Sequence, residues 1–210
     1  MTAPAAGRRR LRLVMAALVA AVLLASLDGM IFNTALPTIV GQLHGIARMS
    51  WVPTACLLTT AITMPVYGKL GDLAGRKWLF VAALALFLSG SVLGGLAGSM
   101  PMLIAARAWQ GLGSGGLIVL AQAIIADVVP PRERGRYMAV VGSVFIFSSV
   151  AGPLLGGWFA TTIGWRWAFW MNVPIALLAI TAAITVLPPA RASTRPRIAT
   201  IGVAPSAISW

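Results

Sequence analysis

The chain has 210 residues, 59% of them apolar and only 10% charged, with a mean hydropathy of +0.91 and a net charge of +12. A water-facing surface cannot be assembled from that composition, which excludes a soluble globular domain and points to an integral membrane protein. The basic excess does not imply a nucleic-acid partner, because Lys and Arg sit in short clusters between apolar runs, as charges that orient membrane spans do.

Residues 1–12 form a polar leader carrying Arg8, Arg9, Arg10 and Arg12. A secretory signal also begins with basic residues and an apolar stretch, but the run from Leu13 to Pro37 is too long and lacks a small-residue cleavage site. It predicts a first transmembrane helix over 13–37, and later runs predict five more at 49–68, 78–97, 101–126, 137–163 and 167–187. Each meets the roughly 20 residues needed to cross about 30 Å of hydrocarbon at about 1.5 Å per residue. Without water to satisfy the backbone, each must be helical, so the fold class is an all-α membrane bundle of six spans. Residues 188–210 read as a Pro- and Arg-containing linker followed by Ile198–Trp210, which is apolar but too short to span. That tail is either a frayed end or the incomplete start of a seventh helix in a longer membrane protein.

Alternate loops differ sharply in charge. Thirteen Lys and Arg fall on one side, Arg48 and Arg166 on the other, and Arg107 lies within a span. This asymmetry predicts both ends of the chain and the segment Gly68–Lys77 on the cytoplasmic side of a plasma membrane, with the N-terminus inside. Trp51, Trp158, Trp165 and Trp167 then fall near the outer boundary and Trp78 near the inner one, as interfacial anchors.

Two charges interrupt the spans. Asp28 lies deep in the first, where a carboxylate is expensive and low dielectric favours the neutral form, so it is read as lining a cavity or proton path. Counted from Arg12, Asp28 sits roughly 24 Å into the core, and Arg107 enters from the other side at roughly 9 Å, which places the two at similar depth. They form either a proton-coupling pair facing a watery chamber or a static ion pair joining the first and fourth helices. At about 100° per residue, Gln110, Gly111, Ser114, Ile118 and Gln122 fall within about 60° of Arg107 and are expected to face the central cavity. Asn33, about 140° from Asp28, is expected instead to make a helix-to-helix hydrogen bond.

Gly68–Lys77 is the polar island between the second and third spans, read as a short, sharp loop. Asp72 and Arg76 are four apart and can pair, and Asp127 reaches the same membrane surface and can compete for Arg76. That arrangement is either a conformational latch or a set of topology charges, the role assigned to Lys69 and Lys77. Gly152, Pro153, Gly156 and Gly157 form a bend or close-packed seam in the fifth helix. Gly90, Gly94 and Gly98 read as packing positions, Cys56 as an unpaired buried hydrophobe and His44 as an exposed loop residue. Gly113–Gly116 lies mid-span and cannot cradle a phosphate, and no nucleotide, metal or redox motif occurs. No cofactor is expected, and the chain is read as a non-enzyme.

Four blocks in register with the spans carry a family resemblance. Gly68, Leu70, Asp72, Gly75, Arg76 and Lys77 match the cytoplasmic signature G-x-L-a-D-r-x-G-r-K of the major facilitator superfamily, with Leu73 where that family often has Arg. Leu27–Pro37 is similar to the first-span block of its fourteen-span drug:proton antiporter branch, and Arg107–Gly113 to the fourth-span R-x-x-Q-G-x-G block. Gly152–Gly157 resembles the end of the fifth-span antiporter block, and Trp165-Arg166-Trp167 through Asn172 and Pro174 resembles a W-R-W-x-F-x-x-N-x-P run. The resemblance implies the N-terminal six-helix half of that fold, a missing C-terminal half as partner, and proton-driven export of small amphipathic or cationic compounds across the bilayer. The alternatives are a truncated non-transporting remnant or half-subunit, and an ion-coupled importer of the same fold.

Overall fold

A computed structural model describes residues 5–187, with side chains from residue 9. The expected tail over 188–210 lies outside the described residues. Helices account for nearly all of the rest: α1 (Ala5–Leu43), α2 (Trp51–Ala74), α3 (Arg76–Gly95), α4 (Met100–Val128), α5 (Arg134–Thr161), α6 (Trp167–Trp170) and α7 (Asn172–Val186). With α6 and α7 taken together, six stretches are long and apolar enough to cross a membrane. The protein is an all-α bundle, and no strand occurs among the described residues.

Helix ends depart from the sequence reading where local chemistry overrides hydropathy. Helix α1 takes in the basic residues from Arg8 and runs through Pro37, continuing to Leu43. It stops where exposed His44 adopts a positive φ of 49°. The expected loop at Gly68–Lys77 is a correction: α2 continues through Ala74, and Gly75 alone, at φ 91°, turns the chain into α3. A left-handed φ favours glycine, so one residue does the work assigned to ten. Ser99 caps α4 by accepting from the backbone N–H of Met102 at 3.4 Å, with Pro101 in the first turn, where its missing N–H is harmless.

Packing is uneven. Helix α4 lies between α2 and α3 and is buried along most of its length, whereas α2 and α5 each bury only one narrow face. Glycines make the α4 contacts possible. A Cβ on Gly113 would lie 2.5 Å from the Ala83 carbonyl oxygen of α3, and one on Gly115 2.7 Å from the Thr60 carbonyl oxygen of α2. Small residues thus bring backbones together where burying more apolar surface gains nothing against lipid tails. The Thr60 hydroxyl then donates to the Gly111 carbonyl at 3.2 Å.

Two apolar clusters fill the bundle. One, nearer the basic end, contains Leu18, Leu24, Phe80, Phe87, Leu117 and Ala176; the other contains Ile31, Phe32, Leu103, Trp165 and Phe169. Near where the two clusters meet along the chain lie Asp28, Ser91, Arg107, Gln110 and Asn172, all buried. The site is a polar layer held between two apolar ones.

Candidate functional site

Four elements supply the polar layer. Asp28 of α1 and Arg107 of α4 are 2% and 3% exposed and form an ion pair between Asp28 Oδ2 and Arg107 Nη1. Nη1 also donates to Gln110 Oε1 at 2.6 Å, and the guanidinium lies over the Phe32 ring, 4.6 Å from its centroid. Asp28 Oδ1 accepts from two amides, Gln110 Nε2 at 3.0 Å and Asn172 Nδ2 at 2.8 Å. Those same nitrogens donate to Ser91 Oγ of α3, at 2.7 and 3.1 Å. Each partner offsets part of the desolvation of two buried charges. Arg107 Nε and Asn172 Oδ1 are left without partners, as are the hydroxyls of Ser26 and Ser148.

At the basic end, Arg76 joins three groups at once. Its Nη2 pairs with Asp72 at 2.7 Å, and its Nη1 pairs with Asp127 at 2.8 Å while donating to the Ala123 carbonyl at 2.6 Å. The acids were expected to compete for Arg76; instead the guanidinium fork holds both, because its donors point in different directions. Lys77 is a further correction to the topology-only reading: Nζ donates to the carbonyls of Ile184 and Leu187 at 2.6 and 2.9 Å, capping the end of α7. Arg134 does the same for α4, donating to Ala126 and Val129. Lys69 stays exposed.

The α1–α5 seam uses half of the glycine block. A Cβ on Gly156 would lie 2.5 Å from the Ile31 carbonyl oxygen, and Gly152 would clash with Met30. Gly157 meets nothing within 4 Å and Pro153 is exposed, so neither makes the close approach.

Comparison with known proteins places this geometry. A family model described as Major Facilitator Superfamily matches residues 18–209. The chain belongs to the major facilitator superfamily. Among superfamily relatives it is 44% identical over 194 residues to an uncharacterized MFS-type transporter of Mycobacterium tuberculosis, covering 92% of this chain and 28% of the relative. It is 38% identical over 168 residues to the multidrug transporter protein MdtP of Bacillus subtilis, covering 80% and 31%. The chain thus spans less than a third of the length of these relatives. An inward-open structure of the xylose transporter XylE from E. coli superposes with a TM-score of 0.71 at 18% identity, covering 86% of this chain and 48% of that one. The chain is a transporter-family protein, not an enzyme.

Within this superfamily bundle, several sequence expectations change. Asp28 and Arg107 do share a height, but they touch each other inside packed protein and do not face each other across an open chamber. A depression of about 710 Å³ lies elsewhere, at the Trp-rich end, lined by Trp165, Arg166, Trp167 and Trp170 among others. The proposed α4 stripe splits: Gln110 joins the ion pair, Gly111 packs on Cys56 and Thr59 of α2, Ser114 is buried, Ile118 is half-buried and Gln122 is exposed. Asn33 is exposed and makes no side-chain hydrogen bond among the described residues. Cys56 is half-buried. Gly90 and Gly94 are packed against Gln110 and Phe169, whereas Gly98 lies beyond α3 with open space around it. Trp165 is no lipid anchor: it is 1% exposed, donates to Gln42 at 2.9 Å and carries Arg166 on its face.

Sequence reasoning missed Ser91 and Asn172. A lone buried serine gives no signal among twelve in the chain. Asn172 did give one, as a polar residue inside an apolar run, the kind of position that is functional by default in a membrane span.

Proposed function

We propose that the chain forms the N-terminal half of a proton-coupled exporter of small amphipathic or cationic compounds, of the fourteen-span drug:proton antiporter branch. The observation that carries this reading is the Asp28–Arg107 pair, buried between two apolar clusters and held by Gln110, Ser91 and Asn172. A buried carboxylate paired with a guanidinium and ringed by amides can exist in two charge states, and a shift between them is what a proton gradient can drive. Relatives named as efflux pumps, one of Fusarium sp at 38% identity and one of Dothistroma septosporum at 42%, support the export direction.

In this reading Asp28 takes and releases the proton, Arg107 stabilises the charged state, and Gln110 and Ser114 border the substrate path. Asp72, Arg76 and Asp127 close the basic end as a latch, since one arginine satisfying two acids from α2 and α4 is lost when those helices part. Gly152 and Gly156 let α5 rock on α1. A second six-helix unit would complete the transport path. The protein would sit in the plasma membrane with its basic end cytoplasmic and use the proton gradient in place of a cofactor.

The test is Asp28→Asn in the chain joined to its second six-helix unit and reconstituted in proteoliposomes, followed by export of a fluorescent lipophilic cation with and without a pH gradient. The variant is expected to insert normally and to lose gradient-driven export. Unaltered gradient-driven export would remove the proposal.

A further inference from the structure

The two amides on Asp28 Oδ1 differ in one respect. Gln110 is fully engaged: Nε2 donates to Asp28 and Ser91 while Oε1 accepts from Arg107. Asn172 also donates twice through Nδ2, but its Oδ1 is buried and has no partner. An orphaned acceptor in the packed interior costs about 1–3 kcal/mol, and the reversed amide would set oxygen against carboxylate oxygen. The present orientation therefore suits the charged form of Asp28 at the expense of one acceptor.

Protonation inverts that account. Once a proton from the aqueous phase settles on Oδ1, Asp28 becomes a donor and needs an acceptor. Gln110 cannot supply one without releasing Arg107. Asn172 can, because rotation about its Cβ–Cγ bond exchanges Nδ2 for the free Oδ1 and gives up no contact on the far side. Ser91 follows without moving, since its hydroxyl, which now accepts from Asn172, can turn to donate to the new Oδ1.

We infer that Asn172 is a reversible amide partner of Asp28, donating to the carboxylate and accepting from the carboxylic acid, so that Asp28 Oδ1 has a matching partner in both charge states while the far end of the Asn172 amide stays unpaired in each. The other charged or titratable groups facing Asp28 are Arg107 on α4 and the Cys56 thiol on α2. Helices α3 and α7 bring only Ser91 and Asn172, and the buried stretch of α5 brings no titratable group. This role rests on the proposed proton coupling at Asp28.

Infrared difference spectroscopy of the intact protein in lipid, titrated with acid, separates the two ideas. Isotope-labelled asparagine marks the amide, and Asn33 is the chain's other asparagine. The wild type is expected to gain a carboxylic-acid carbonyl band that is absent in Asp28→Asn, while the Asn172 amide carbonyl band shifts with the same midpoint. In Asn172→Leu the acid band moves to the higher frequency of a carboxyl without an acceptor; in Asn172→Ser, whose hydroxyl can donate or accept, it stays near the wild-type position. An Asp28-dependent acid band with an unmoved amide band, or an acid band unchanged in Asn172→Leu, overturns the role of Asn172 alone. No Asp28-dependent band at any pH overturns the proton-coupling reading with it. Should Asn172→Leu fail to insert, the wild-type amide band decides.

Discussion

Gly90→Ala tests the packing on which the polar layer depends. A Cβ at this buried α3 position would lie 2.6 Å from Gln110 Cα and 2.7 Å from Gln110 N and Cβ, where ordinary contact begins near 3.4 Å. The obstacles are backbone, so α3 and α4 must separate by about 0.8 Å. A gap of that order forfeits about a quarter to a half of each dispersion contact along the seam, and overpacking of this kind costs about 1–3 kcal/mol. The movement also draws Gln110 Nε2 away from Ser91 and Asp28, now at 2.7 and 3.0 Å. Losing a hydrogen bond to a charged group adds about 1.5–3 kcal/mol, against a gain of about 1 kcal/mol from alanine's helix propensity. The net expectation is a loss of about 2–5 kcal/mol, read from unfolding of the purified protein in mild detergent by tryptophan fluorescence. Gly157→Ala is the control, because its Cβ meets nothing within 4 Å. If Gly90→Ala is as stable as Gly157→Ala, the close α3–α4 approach is wrong.

Arg107→Leu strands the Asp28 carboxylate and should cost about 3–5 kcal/mol in the same unfolding assay, whereas Asp28→Leu with Arg107→Leu should recover most of that loss; equal costs would mean the pair is not buried as described. Asp72 and Asp127 have side chains 68% and 57% exposed, so Asn at either should change stability by less than about 1 kcal/mol. Arg76→Ala, which loses both pairs and the Ala123 contact, should instead slow export of the fluorescent cation, and normal rates would discredit the latch. Lys77→Met should raise hydrogen exchange at the amides of the last turn of α7, near Ile184–Leu187, and leave the middle of that helix protected; unchanged exchange would show that the cap contributes nothing.

What the sequence by itself determined is the set of spans, because the demand that lipid makes on a backbone is local: each apolar run must satisfy its own N–H and C=O groups, and length and composition reveal that. The two intramembrane charges were legible for the same reason, since Asp28 and Arg107 stand out against their neighbours and simple counting along the helix set them at one height. Helix rotation was not legible. In water an apolar stripe marks the buried face, but here lipid tails and protein interior are both apolar, so Gly111 and Ser114 give no sign of which neighbour they touch. Tertiary structure alone decided that Ser91, and Asn172 at 144 residues' distance, close around Asp28. It also decided that Arg76 serves two acids and that Gly75 alone turns the chain. Those outcomes depend on how closely backbones approach at Gly90, Gly113 and Gly156, and close approach is a property of pairs of helices that no single run of residues records.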